Sequence, residues 1–174
     1  MDENILLWIQ NNMRSDVLTP TFRFITTLGN MGAIWILVTV FFLIFSKTRR
    51  TGFGCATALL TSLVFNNLFL KNIVARVRPY DVIEGLIALI PHPHDFSFPS
   101  GHTAASFAAA SVIFVMLPKK YGVLALILAT LIAFSRLYLG VHYPTDVLFG
   151  MLSGTVIGVV SAGIWNNSKA TNLQ

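Results

Sequence analysis

The sequence predicts an all-α integral membrane protein, a helical bundle with about five transmembrane helices plus an N-terminal interfacial helix. Three observations carry this. Of 174 residues, 55% are hydrophobic and only 11% charged, and the mean hydropathy is +0.71, a membrane composition and not a soluble one. Windows 24–46, 51–70, 99–118, 121–135 (extended through Arg136) and 147–168 are apolar and free of internal charge. Crossing about 30 Å of hydrocarbon takes roughly 20 helical residues, so each window is read as a span. The charged residues gather at the ends of these windows, where a bilayer tolerates them. Five spans leave little chain for a second domain. We therefore expect one domain, 1–174, with an interfacial segment at 1–23, the bundle at 24–168 and a tail at 169–174.

The elements follow in order. Ile5, Leu6, Trp8, Ile9 and Met13 recur at helical spacing among Asn4, Gln10, Asn11 and Asn12, which suits a helix in the interface with Trp8 at headgroup level. Asp2 and Glu3 stand where a cleavable leader needs basic residues, so no signal peptide is expected. Ser15 or Asp16 can cap a short second segment that carries Arg23 and stops at Gly29-Asn30, where the first span follows and ends at Lys47, Arg49 and Arg50. Asn66 and Asn67 lie near the end of the second span, and one of them should face the bundle interior, because an amide in lipid is costly. Residues 81–98 form the only substantial loop. The last span carries Gly150, Gly154 and Gly158, four apart, a face that permits close helix approach within the bundle. Cys55 is alone, so no disulfide forms within the chain.

The net charge of +5 and pI near 9.7 do not point to nucleic acid, because the basic residues flank apolar segments. They do orient the chain. Lys47, Arg49, Arg50, Lys119 and Lys120 fall on one side of the bilayer, which the positive-inside rule makes cytoplasmic. The segments 71–79, 99–102 and 136–146 then converge on the outer side, with Arg14 and Arg23 there as a contrary signal.

That face gathers Lys71, Arg76, Arg78, His102, Arg136, His142 and Asp146. Several cations aimed at one spot repel unless an anion joins them. Arg meets phosphate oxygens with a planar fork and Lys as a point charge. For Lys71, Arg78 and Arg136 the neighbouring His and Asp favour that reading over snorkelling anchors; Arg76 fits either. Phe98-Pro99-Ser100-Gly101-His102 opens a helix, and a helix N-terminus with free N–H groups also suits a phosphate.

Lys71, six residues and Arg78-Pro79; Pro99-Ser100-Gly101-His102; then Ser135-Arg136, five residues, His142, three more and Asp146: this resembles the three-part signature of the type 2 phosphatidic acid phosphatase superfamily, complete and in order. The resemblance implies a metal-independent phosphatase that needs no cofactor and works through a phosphohistidine. It makes His142 the nucleophile, Asp146 its orienting partner and His102 the general acid. Lys71, Arg78 and Arg136, the Ser100 hydroxyl and the Gly101 backbone N–H would hold the phosphoryl oxygens. It further implies a lipid phosphate substrate in the plasma (inner) membrane with the site facing outward. Undecaprenyl diphosphate ranks first, and phosphatidate or phosphatidylglycerol phosphate second.

Two other classes share some of these features. A vanadate-dependent haloperoxidase shares the pocket chemistry but is soluble, and a non-enzymatic lipid-phosphate binder or transporter leaves the pairing of His142 with Asp146 unexplained. His92, His94 and Asp95 are ligand types for a metal, yet their prolines and short spacing fit a loop that shapes the substrate entrance. No metal site is expected. The oligomeric state is not legible.

Overall fold

The computed structural model describes residues 1–167, so the expected tail and the end of the last span at Ser168 lie outside the described residues. In chain order the helices are α1 (Asp2–Met13), α2 (Leu18–Leu28), α3 (Ala33–Ile44), α4 (Arg49–Ser62), α5 (Lys71–Val74), α6 (Gly101–Met116), α7 (Lys119–Tyr138) and α8 (Pro144–Asn167), with a π-helical stretch, Leu63–Leu70, joining α4 to α5. Among the described residues four stretches are long and apolar enough to cross a bilayer: Leu18–Ile44, Arg49–Asp81, Lys119–Tyr138 and Pro144–Asn166. The fifth expected span is α6, which has only 16 residues. At 1.5 Å per residue it is about 24 Å long, short of the hydrocarbon thickness. It tolerates this because protein surrounds it: ten of its residues, Thr103 to Ala104 and Ser106 to Ile113, are buried.

Small side chains on α6 let α8 lie against it. A Cβ at Gly154 would fall 2.3 Å from the carbonyl oxygen of Ala104, one at Gly158 2.4 Å from that of Ala108, and one at Gly150 2.9 Å from that of Ser100. The glycine face therefore serves packing within the bundle, as its spacing suggested. Gly154→Ala is expected to destabilise the protein by about 1–3 kcal/mol through overpacking. An unchanged melting temperature in detergent would contradict this contact. The two helices start at Gly101 and Pro144, so their separation also fixes the distance between His102 and the residues around Asp146.

The break expected at Gly29-Asn30 lies at Asn30–Gly32, inside an apolar stretch that runs from Leu18 to Ile44. Met31 (φ 51°) and Gly32 (φ 72°) are left-handed there. A side chain at Gly29 would strike the His102 ring at 2.8 Å and Ile132 at 2.9 Å, so the break brings the chain in against the site.

The N-terminal helix is amphipathic, with Trp8 exposed, but its apolar face docks on protein. Leu6 packs with Ile83, Leu86 and Tyr143, and Ile9 with Tyr138, Leu139 and Val141. The contrary arginines find internal acceptors nearby. Arg14 Nε donates to the carbonyl of Tyr138 (3.2 Å) and Arg23 Nε to that of Leu89 (2.8 Å). Asn66 is fully buried, donating to Ser62 Oγ and accepting from Ser153 Oγ on α8. Asn67 lies against Gly101, where a Cβ would come within 2.8 Å of its amide.

Candidate active site

Three chain segments meet at one end of the bundle. Lys71 follows the π-helical stretch as the first residue of α5; Ala75, left-handed at φ 46°, ends that helix and turns the chain out towards Arg78-Pro79. Gly101 and His102 open α6, Arg136 lies in the last turn of α7, and His142 stands in the tight connection to α8. One cavity of about 1510 Å³ has Lys71, Arg78, Gly101, His102, Arg136 and His142 on its wall. Its far end is apolar, formed by Ile36 and Val40 of α3, Ala56, Leu59 and Leu60 of α4, and Leu63.

The His142 ring has two different ends. Its Nε2 lies 3.3 Å from Nη1 of Arg78, and its Nδ1 lies 3.6 Å from Oδ2 of Asp146. The second distance is beyond hydrogen-bond reach, so Nδ1 is buried without a hydrogen-bond partner. Burial first, then the charges of Arg136, Arg78 and Lys71, hold the His142 imidazole well below its ordinary pKa range. The ring is therefore neutral.

Asp146 is fully buried and heavily held. Oδ2 accepts from Ser97 Oγ (2.5 Å) and the Tyr143 N–H (3.0 Å), and Oδ1 accepts from Arg76 Nη1 (2.6 Å). Arg76 also pairs with Asp2 at 3.1 Å and lies 3.6 Å over the Tyr143 ring. The undecided reading of Arg76 thus resolves to an ion pair with the site carboxylate, not a snorkelling anchor. Ser97 had no signal in the sequence beyond adjacency to the Pro99 motif.

His102 Nε2 is 3.0 Å from Oδ1 of Asn30, a residue that the sequence offered only as part of a helix break. Arg136 is 2% exposed; Nη1 donates to Thr26 Oγ1 at 2.6 Å, while Nε is buried without a hydrogen-bond partner. Among the described residues no carboxylate lies within salt-bridge distance of Arg136. Ser100 stands apart from the other expected phosphate ligands. It is fully buried behind the cavity wall, where its Oγ accepts from Thr103.

The loop supplies an unexpected member. Asp95 reaches into the cations, with Oδ2 2.5 Å from Lys71 Nζ and Oδ1 2.6 Å from Arg78 Nη2. Burial works to raise the Asp95 carboxyl, but the hydrogen bonds and charges of Lys71 and Arg78 outweigh it and pull it down to about 2. His92 stacks on Tyr80, with ring centroids 4.1 Å apart. Among the described residues no group of three or more His, Cys, Asp and Glu side chains is arranged to hold a metal ion. His92, His94 and Asp95 therefore form no ligand cluster, and Asp95 serves the cationic pocket instead.

Buried cations without enough anions, set where a bundle opens into an apolar groove, define a class: multi-pass membrane enzymes that act on lipid-borne phosphate. Residues 51–170 match the family model of the PAP2 superfamily, and the chain belongs to that superfamily. It is 35% identical over 141 residues to an undecaprenyl-diphosphatase of Sulfolobus acidocaldarius, covering 81% of this chain and 68% of that one. It is 31% identical over 144 residues to the undecaprenyl-diphosphatase BcrC of Bacillus subtilis (strain 168), covering 83% and 73%. Among solved structures it resembles Aquifex aeolicus LpxE with a TM-score of 0.82 at 30% identity, over 92% of this chain and 93% of that one. The PAP2 type phosphatidylglycerolphosphate phosphatase of Bacillus subtilis follows with a TM-score of 0.78 at 27% identity, over 99% and 87%. The protein is a membrane lipid phosphatase, which displaces the haloperoxidase and the non-enzymatic alternatives.

Proposed function

We propose that the protein removes the terminal phosphate of undecaprenyl diphosphate, through a phosphohistidine and without a metal. The observation that carries this reading is the single cavity that joins the cationic wall to the apolar groove between α3 and α4. A diphosphate headgroup fits the first and a long hydrocarbon chain the second. The identities to two proteins named undecaprenyl-diphosphatase support the choice of lipid.

In this mechanism Lys71, Arg78, Arg136 and the Gly101 N–H hold the phosphoryl oxygens. Nε2 of the neutral His142 attacks phosphorus as the bond to the leaving oxygen breaks, and His102 gives that oxygen a proton. The charge that develops on the imidazole ring is met by Asp146, which Arg76, Ser97 and the Tyr143 N–H hold in place. Water, activated by His102, then splits the phosphorus–nitrogen bond and releases orthophosphate. Ser100 accepts from Thr103 and keeps its own proton to donate, but it is buried outside the cavity lining, so it contributes less than the three cations.

A phosphate-release panel in detergent with excess chelator tests the reading. Undecaprenyl diphosphate should be cleaved fastest, ahead of phosphatidate, phosphatidylglycerol phosphate and a soluble phosphate ester, with no loss to the chelator. A higher rate on phosphatidylglycerol phosphate would favour the second reading, which the likeness to the Bacillus subtilis phosphatidylglycerolphosphate phosphatase supports. Loss restored by a divalent ion would overturn the metal-free mechanism.

The proposed location is the plasma membrane with the site outward. Lys47, Arg49, Arg50, Lys119 and Lys120 carry no part of the pocket and mark the cytoplasmic end. An impermeant amine reagent applied to intact cells should leave Lys47, Lys119 and Lys120 unlabelled; labelling there would invert the topology.

A further inference from the structure

Lys71 and Arg78 are almost fully buried, and one carboxylate side chain answers both of them. That side chain, Asp95, is 53% exposed, so it closes the pocket from the rim instead of forming its floor. The donors of Arg78 are also committed. Nε donates to the Asp95 carbonyl (2.9 Å), Nη1 to the Val141 carbonyl (2.7 Å), and Nη2 to the Asp95 carboxylate and, at 3.4 Å, the Phe96 carbonyl. A phosphoryl oxygen can gain Arg78 and Lys71 only where the Asp95 carboxylate now sits. Two anions held by the same pair of donors exclude each other.

We infer that Asp95 is an internal competitor for the phosphoryl group: its carboxylate neutralises Lys71 and Arg78 between turnovers, leaves when the substrate headgroup enters, and returns to drive orthophosphate out. The movement is small, because the Asp95 and Phe96 carbonyls keep the main chain on Arg78 while only the carboxylate swings into solvent. Asp95 is not a catalytic residue; it sets the affinity of the pocket for phosphate, and so the strength of product inhibition. The inference rests on the reading of Lys71 and Arg78 as phosphate ligands.

A positioning role for Asp95 would give the opposite sign, which makes the test direct. If Asp95 only held Lys71 and Arg78 in place, its removal would loosen them and weaken phosphate binding. If it competes, its removal tightens binding. Inorganic phosphate is titrated calorimetrically into the full-length protein in detergent, comparing wild type with Asp95→Asn, whose amide oxygen still accepts from the two cations. Asp95→Ala is a second variant should the first not fold, and Asp95→Glu, which restores the charge, is the control. Competition predicts a Kd for orthophosphate lower by about tenfold or more in the neutral variants, and near the wild-type value in Asp95→Glu. In the phosphatase assay, Ki for orthophosphate should fall in parallel. An unchanged or higher Kd in the neutral variants, with measurable binding to wild type, overturns the competitor role and leaves the pocket reading intact. Absence of binding to every variant takes down the pocket reading and the inference with it.

Discussion

His142→Ala is expected to lower kcat by about four orders of magnitude or more while the protein keeps its fold, as removal of a covalent nucleophile does elsewhere. The expectation follows from the two ends of one ring. Nε2 faces the cavity beside Arg78, and Nδ1 faces the buried carboxylate of Asp146. A neutral imidazole presents a lone pair on one nitrogen and a proton on the other, and the geometry assigns the lone pair to Nε2. Because His142 is held well below its ordinary range, it stays neutral and nucleophilic as the pH falls through 6.5. The profile of kcat/KM should therefore show no acid limb near pH 6.5 that His142 causes. The buried imidazole borders the cavity, so loss of turnover with a folded protein, shown by a cooperative melting curve, is the anticipated pair of results. Turnover within tenfold of wild type would exclude His142 as the nucleophile.

Arg136→Leu should separate stability from activity. The Arg136 guanidinium is buried, makes one hydrogen bond to Thr26, leaves Nε without a partner and has no carboxylate at salt-bridge distance among the described residues. A charge held this way costs folding free energy, and an apolar residue of similar bulk removes that cost. The variant is expected to be more stable by about 1 kcal/mol or more. The same change deletes a preorganised donor for the transition state, which is expected to lower kcat by about 10²- to 10³-fold. A residue kept for structure would behave in the other way, losing stability and activity together. Thermal melts and phosphate release on one preparation decide between them.

Much of this was legible in the sequence. Hydropathy located the passes through the bilayer because lipid exposure forces an apolar composition, and the motif spacing named Lys71, Arg78, Arg136 and both histidines, which share the cavity wall with Arg23. What stayed hidden depends on contacts between segments far apart in the chain. No local pattern says that Asn30, at a helix break, stands beside His102, or that Ser97 and Arg76 hold Asp146. The sequence placed Asp95 only in a loop that shapes the substrate entrance. A carboxylate next to two histidines resembles a ligand set, and only the fold shows that it is turned to Lys71 and Arg78 while His92 stacks on Tyr80. The length of α6 was overstated because a helix enclosed by protein need not match the bilayer.

The central claim is a phosphoryl group carried on His142. Rapid quenching of the enzyme mixed with undecaprenyl diphosphate labelled in its terminal phosphate tests it most directly. We expect a transient protein-bound label, stable in alkali and lost in acid, that maps to His142 and is absent from His142→Ala. Label on another residue, or turnover without bound label at any quench time, would contradict it.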